Sequence, residues 1–156
     1  MAPRRFAVAV LAAVVTLAPL AAQPTPEQRY FDWVELPFAP AEYAARRAAL
    51  SAALATSGGG VFLSPAAAGV SEGFTFRQLD TFWYLTGLEV PDAVVAVDSD
   101  SGRTTLYAPP RDLRFENQAR RNDFPGRRLQ ADSSLGERAG LPEVRPMAQL
   151  AGVLLL

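Results

Sequence analysis

The densest collection of side chains able to bind or react lies in residues 74–94, which read FTFRQLDTFWYLTGLEVPDAV. Arg77, Gln78 and Asp80 set a cation, an amide and a carboxylate among aromatic neighbours. Polar groups in such surroundings are costly unless partnered, so these three are expected to form a local hydrogen-bonded structural motif, not a catalytic set. Phe82, Tyr84 and Leu85 read as core. Trp83, set between core positions of a short element, is expected to face outward, which makes it the candidate contact for a substrate or an interface.

Other constellations have plainer readings. Asp98 and Asp100 could share a hard cation, but no closing Glu follows, and Asp98 to Arg103 reads as a turn. Gly58, Gly59 and Gly60 could cradle a phosphate. No Lys-Ser or Lys-Thr follows them and a strand does, so they read as a helix stop. Arg111, Arg114, Arg120, Arg121, Arg127 and Arg128 are interspersed with Asp112, Glu116 and Asp123. Mixed signs without interleaved aromatics read as a solvated face or an interface, not as a nucleic-acid platform.

Composition closes further routes. The chain has no His and no Cys, and all 15 of its basic residues are Arg. A Ser-His-Asp or Cys-His apparatus, a His- or Cys-ligated metal, a P-loop lysine and a Schiff base are therefore excluded within this sequence. No catalytic residue and no metal ligand is assigned.

The elements that would position Trp83 follow from periodicity. Residues 1–22 read as an export signal: Arg4 and Arg5 precede the apolar run from Ala7 to Ala18, and Ala21 and Ala22 suit cleavage. The competing reading is a membrane anchor, which Pro19 and the short apolar length disfavour. Removing 22 of the 156 residues leaves 134, one domain, with 13 Arg against 16 carboxylates and a net charge of −3. The expectation is an exported protein, periplasmic or secreted, with no nucleic-acid partner and no membrane attachment once the signal is cleaved. Residues 23–37 read as a linker. Tyr43, Arg47, Leu50 and Leu54 share one face of a helix from Pro40 to Thr56. Val61 to Leu63 reads as a buried strand. Ala93 to Val97 and Thr104 to Ala108 form a hairpin, Leu141 to Met147 a strand and turn, and Ala148 to Leu156 the start of a helix.

The 74–94 segment resembles the N-terminal domain of the Xaa-Pro aminopeptidase (aminopeptidase P) and prolidase family. The resemblance is carried by Phe76-Arg77-Gln78, by Phe82-Trp83-Tyr84-Leu85-Thr86-Gly87 and by Pro91-Asp92-Ala93-Val94. Arg46-Arg47 with Leu50, Thr105 to Asp112, and Gly126 to Leu129 extend it, so that residues 38–156 are covered. The resemblance implies an α/β domain with a ribonuclease-H-like mixed β-sheet flanked by helices. It also implies a larger catalytic pita-bread domain following this one, absent here, where two divalent ions, often manganese, activate a hydroxide. That parent enzyme removes the residue preceding proline from proline-containing peptides. In it this domain caps the active-site cleft and forms subunit contacts, and the position matched by Trp83 lies near the substrate path. Phe124-Pro125 and the stretch from Asn117 to Asp123 depart from the family pattern.

Three functions follow as expectations. The first is a non-catalytic N-terminal domain of an exported Xaa-Pro metalloaminopeptidase, its chain cut short after the apolar end at Leu156. Such a domain works with the missing catalytic domain or with homo-oligomer subunits and shows no peptidase activity alone. The second is a free-standing binding or regulatory module of the same fold. The third is an anion or nucleic-acid binder using the Arg-rich stretch.

Overall fold

In a computed structural model, residues 35–69, 75–109 and 133–154 are described. The expected signal, the first part of the linker, the Arg-rich stretch and the departures at residues 117–125 lie outside them. The elements run α1 (Pro40–Thr56), β1 (Val61–Pro65), α2 (Asp80–Thr86), β2 (Val94–Asp98), β3 (Thr104–Ala108), α3 (Ser133–Ala139), β4 (Glu143–Pro146), a 3₁₀ turn at Met147–Gln149 and α4 (Ala151–Leu154).

The strands form one sheet in the order β1-β2-β3-β4. β1 and β2 are antiparallel, β2 and β3 are antiparallel, and β3 and β4 are parallel, so the sheet is mixed as expected. Register aligns Ser64, Val95, Leu106 and Val144 across all four strands. Side chains alternate across a strand, so this row shares one face. Val95 and Leu106 are fully buried there against Phe82 and Leu85 of α2 and Leu135 of α3, with Leu50 of α1 packed onto the same core. Leu36, placed by the sequence in a linker, also packs against that core.

β1 differs from its sequence reading. It is an edge strand, with Val61 43% exposed. Ser99 N donates to Gly60 O at 3.0 Å and Ala66 N to Ala93 O at 2.8 Å, so even-numbered positions bond to β2 and odd-numbered ones turn away. Pro65 is odd-numbered. Its missing N–H therefore faces away from β2, where it costs no bond in the β1–β2 ladder and blunts the edge.

α1 begins with Pro40 in the first turn, where no N–H is needed. It stops at the glycine triplet: Gly59 N donates back to Leu54 O at 2.9 Å, and Gly58 to Gly60 all have positive φ. The hairpin turn closes on Asp98. One carboxylate oxygen accepts from Asp100 N at 2.9 Å and Ser101 N at 3.2 Å, and the other from Ser101 Oγ at 2.5 Å. The Ser101 hydroxyl bond, with these amides, holds the Asp98 carboxyl below its ordinary range. Its lone pairs serve the turn, which is the reading the sequence favoured over a cation loop.

Candidate functional site

α2 has only seven residues, too few to hold a helix in water unaided. Asp80 in the first turn favours its N-terminus electrostatically, and Gly87, at φ +69°, ends it with its N–H on Trp83 O at 2.7 Å. The rest of its support comes from outside. Phe82, Leu85 and Thr86 are buried, while Leu79, Trp83 and Tyr84 are 48%, 37% and 53% exposed. Trp83 thus sits on the outer face, as its position among core residues implied. Tyr84 is a correction: it was read as core, and it stands at the surface.

The reason lies on α1. Arg46 Nη1 donates to Tyr84 O at 3.0 Å and Arg47 Nη1 to Leu85 O at 2.9 Å, so tandem arginines clamp consecutive carbonyls in the last turn of α2. Those carbonyls have no partner within their own helix and carry its negative dipole end. The Arg46 guanidinium also lies 4.6 Å from the Tyr84 ring centroid, 4.8 Å from Phe38 and 5.1 Å from Tyr43. Its Nε is held by Glu42 at 3.0 Å, one turn earlier on α1. Each ring face attracts the cation. Tyr84 is held outside the core because its ring covers this guanidinium.

Arg47 is buried, only 3% exposed. Its Nη2 donates to Gly140 O, just after α3, so one guanidinium ties the C-termini of α2 and α3 together. Burial pushes its pKa down to about 10, which leaves it cationic at neutral pH. Tyr43, one turn before, is wholly buried, and burial raises its phenol. Its hydroxyl lies near the Phe38 amide without hydrogen-bond geometry and is the buried side-chain polar atom left unpartnered among the described residues. Its ring fills the space beside Gly87 that a Cβ would need.

Of the polar motif, only Gln78 is embedded. Its Oε1 accepts from Ala67 N at 2.7 Å and Leu79 N at 2.9 Å; its Nε2 donates to Leu88 O at 3.2 Å and Val90 O at 3.1 Å. All four hydrogen-bonding positions of the amide are used, and the chain before α2 is pinned to the chain after it. Arg77 and Asp80 are exposed, so the embedding among aromatic neighbours expected of all three holds for Gln78. They flank a helix N-terminus whose polar groups reach water, so burial imposes no need for partners.

Among the described residues no three His, Cys, Asp or Glu side chains gather in a group able to hold a metal ion, so they provide no cradle for the ions that the resemblance implies. Among them also, no helix is long and apolar enough to cross a membrane. What the site offers is a surface: Leu79, Trp83 and Tyr84 are exposed on and beside α2, and Tyr84 and Phe38 lie against the Arg46 cation. Sequence reasoning turned Trp83 outward, where it stands, and missed Arg46. The signal was present, since tandem arginines at a helix surface beside aromatic residues invite stacking, but the partner lies 38 positions away.

The family model described as "Aminopeptidase P, N-terminal domain" matches residues 43–155. A variant of Escherichia coli aminopeptidase P in complex with substrate aligns with 75% of this chain and 26% of its own, at 27% identity and a TM-score of 0.56. Pseudomonas aeruginosa aminopeptidase PepP aligns with 77% of this chain and 26% of its own, at 27% identity and a TM-score of 0.53. A probable Xaa-Pro aminopeptidase of Pyricularia oryzae is 51% identical over 37 residues, 24% of this chain and 8% of that protein. The chain therefore spans about a quarter of the length of these solved relatives.

Proposed function

Because this chain belongs to the aminopeptidase P N-terminal domain family, we propose that it serves as the non-catalytic N-terminal domain of an exported Xaa-Pro metalloaminopeptidase, an enzyme that releases the residue preceding proline. In this reading the face of α2 bearing Trp83 is turned toward the catalytic region and caps the active-site cleft, with Trp83 beside the path of the peptide. Other parts of the domain make subunit contacts. The ions that activate the attacking hydroxide, manganese being the expected metal, are held outside the described residues.

The observation that carries this reading is the exposed aromatic face on a helix too short to stand alone, clamped from α1 by two arginines. Large apolar side chains clustered at a surface, with aromatics prominent, suit a protein interface better than open water. Export is supported by Arg4 and Arg5 ahead of an apolar run with small residues at its end.

Two measurements test the proposal. Purified chain supplied with manganese should release no N-terminal residue from an Xaa-Pro peptide; sustained release would overturn the assignment of catalysis to another region. Expression with the natural leader in a bacterium should give periplasmic material beginning near Gln23, and retention of Met1 on cytoplasmic protein would reject export.

A further inference from the structure

We infer that Arg46 is a positioning residue, setting how the outer face of α2 presents Trp83 and Tyr84, while Arg47 holds the fold beneath it. This rests on the proposal that the α2 face meets the catalytic region, and it names a determinant of that face which the family motif leaves unexplained. The two arginines are adjacent in sequence and donate to adjacent carbonyls, yet their settings differ. Arg47 is interior and joins two helix ends. The Arg46 side chain, 14% exposed, is partly buried, touching three rings, one carbonyl and one carboxylate.

The geometry of Arg46 requires a planar fork. Nε is committed to Glu42 on its own helix, which fixes the plane of the guanidinium. Nη1 then reaches Tyr84 O, while the guanidinium carbon lies over the rings of Phe38, Tyr43 and Tyr84. A lysine can stack on a ring or donate to the carbonyl, but its single ammonium cannot reproduce this arrangement. Phe38 precedes α1 and Tyr84 belongs to α2, so Arg46 joins two separate segments into one surface. Trp83 is the residue next to Tyr84 in the turn that Arg46 pins. Loss of the pin frees that turn locally while Arg47 and Gln78 keep the helix in place.

The experiment uses the 156-residue chain carrying Trp33→Phe, which leaves Trp83 as the single tryptophan reporter. Acrylamide quenching of Trp83 and thermal unfolding are measured for Arg46, Arg46→Lys and Arg46→Met. The inference expects quenching to rise about twofold in both variants, as local opening exposes the indole. Arg46→Lys should keep its Tm within about 3 °C of the parent, because the lysine keeps the charge and the stem while Arg47 and Gln78 still hold the helix. Unchanged quenching in the lysine variant, or quenching that rises only in proportion to a falling Tm, would overturn the positioning role. If Arg46→Met does not fold, the lysine variant alone decides. Because the readout is the indole itself and not peptide cleavage, this result is independent of whether the proposed docking holds.

Discussion

Arg47 donates to the carbonyl of Leu85 at 2.9 Å, joining the middle of α1 to the last turn of α2 across 38 positions of sequence. The same guanidinium reaches Gly140 O at the end of α3, so a single side chain satisfies carbonyls at two helix C-termini. A cation there also meets the negative ends of both helices.

Arg47→Met is therefore expected to be the most damaging change on α1. It keeps the apolar stem and leaves two carbonyls without donors, a loss of about 2–4 kcal/mol. Urea unfolding followed by circular dichroism measures this directly; a loss no larger than that of an exposed Arg103→Met control would show that the clamp contributes nothing.

Gly87→Ala combines two penalties. The position sits at φ +69°, and a Cβ there would overlap the Tyr43 ring. A left-handed non-glycine residue costs about 1–2 kcal/mol and overpacking about 1–3 kcal/mol, so a total of about 2–5 kcal/mol is expected in the same assay. Tyr43→Phe should by contrast cost less than about 1 kcal/mol, because the hydroxyl it removes has no partner. A large loss in the phenylalanine variant would mean that the hydroxyl is satisfied in solution.

The Gln78 amide is legible as a site of pH sensitivity once altered. Gln78→Glu keeps the shape but turns a carboxylate oxygen toward Leu88 O and Val90 O, where the amide donated. Ionisation is disfavoured there, so the folded-state pKa of the new acid rises above its unfolded value. The variant should be nearest the parent in stability below about pH 4 and progressively weaker as pH rises to neutrality. A difference independent of pH would contradict this.

Asp98 has the opposite sign. Its folded-state pKa lies below the unfolded value, chiefly through the Ser101 hydroxyl bond. Its contribution is therefore present above the unfolded pKa of about 3.9 and is lost as pH falls through the folded value. The stability gap between the parent and Asp98→Asn should be widest near neutrality and close with acidification. Thermal unfolding across pH 2.5 to about 7 checks it, the window following from the carboxylate range; a gap that widens in acid would reverse the sign.

Much of this fold was readable from local pattern. The period of Tyr43, Arg47, Leu50 and Leu54 gave α1, and β-branched runs around an Asp-Ser-Gly turn gave the β2–β3 hairpin. α3 went unread because its seven residues, SSLGERA, carry a glycine and two serines, and its order rests on Leu135 and Ala139 packing into the core. β1 was read as buried because an apolar run does not show whether a strand is central or at an edge; Pro65 held that information. Tyr84 was read as core because its ring is large, whereas its place is set by Arg46, a partner far away in sequence. Arg47 was visible as a charge on an apolar face, but the two carbonyls it serves become neighbours only when the chain folds.

The most direct test of the central claim is a chimera in which this chain replaces the corresponding N-terminal quarter of Escherichia coli aminopeptidase P, assayed for release of the residue preceding proline. The proposed function expects the folded chimera to cleave. It expects Trp83→Ala within it to reduce kcat/KM by about tenfold, the effect of losing one aromatic interface contact of about 1.4 kcal/mol, while Tm stays nearly constant. A folded, metal-loaded chimera that releases nothing, or one whose kcat/KM is indifferent to Trp83, would contradict the account.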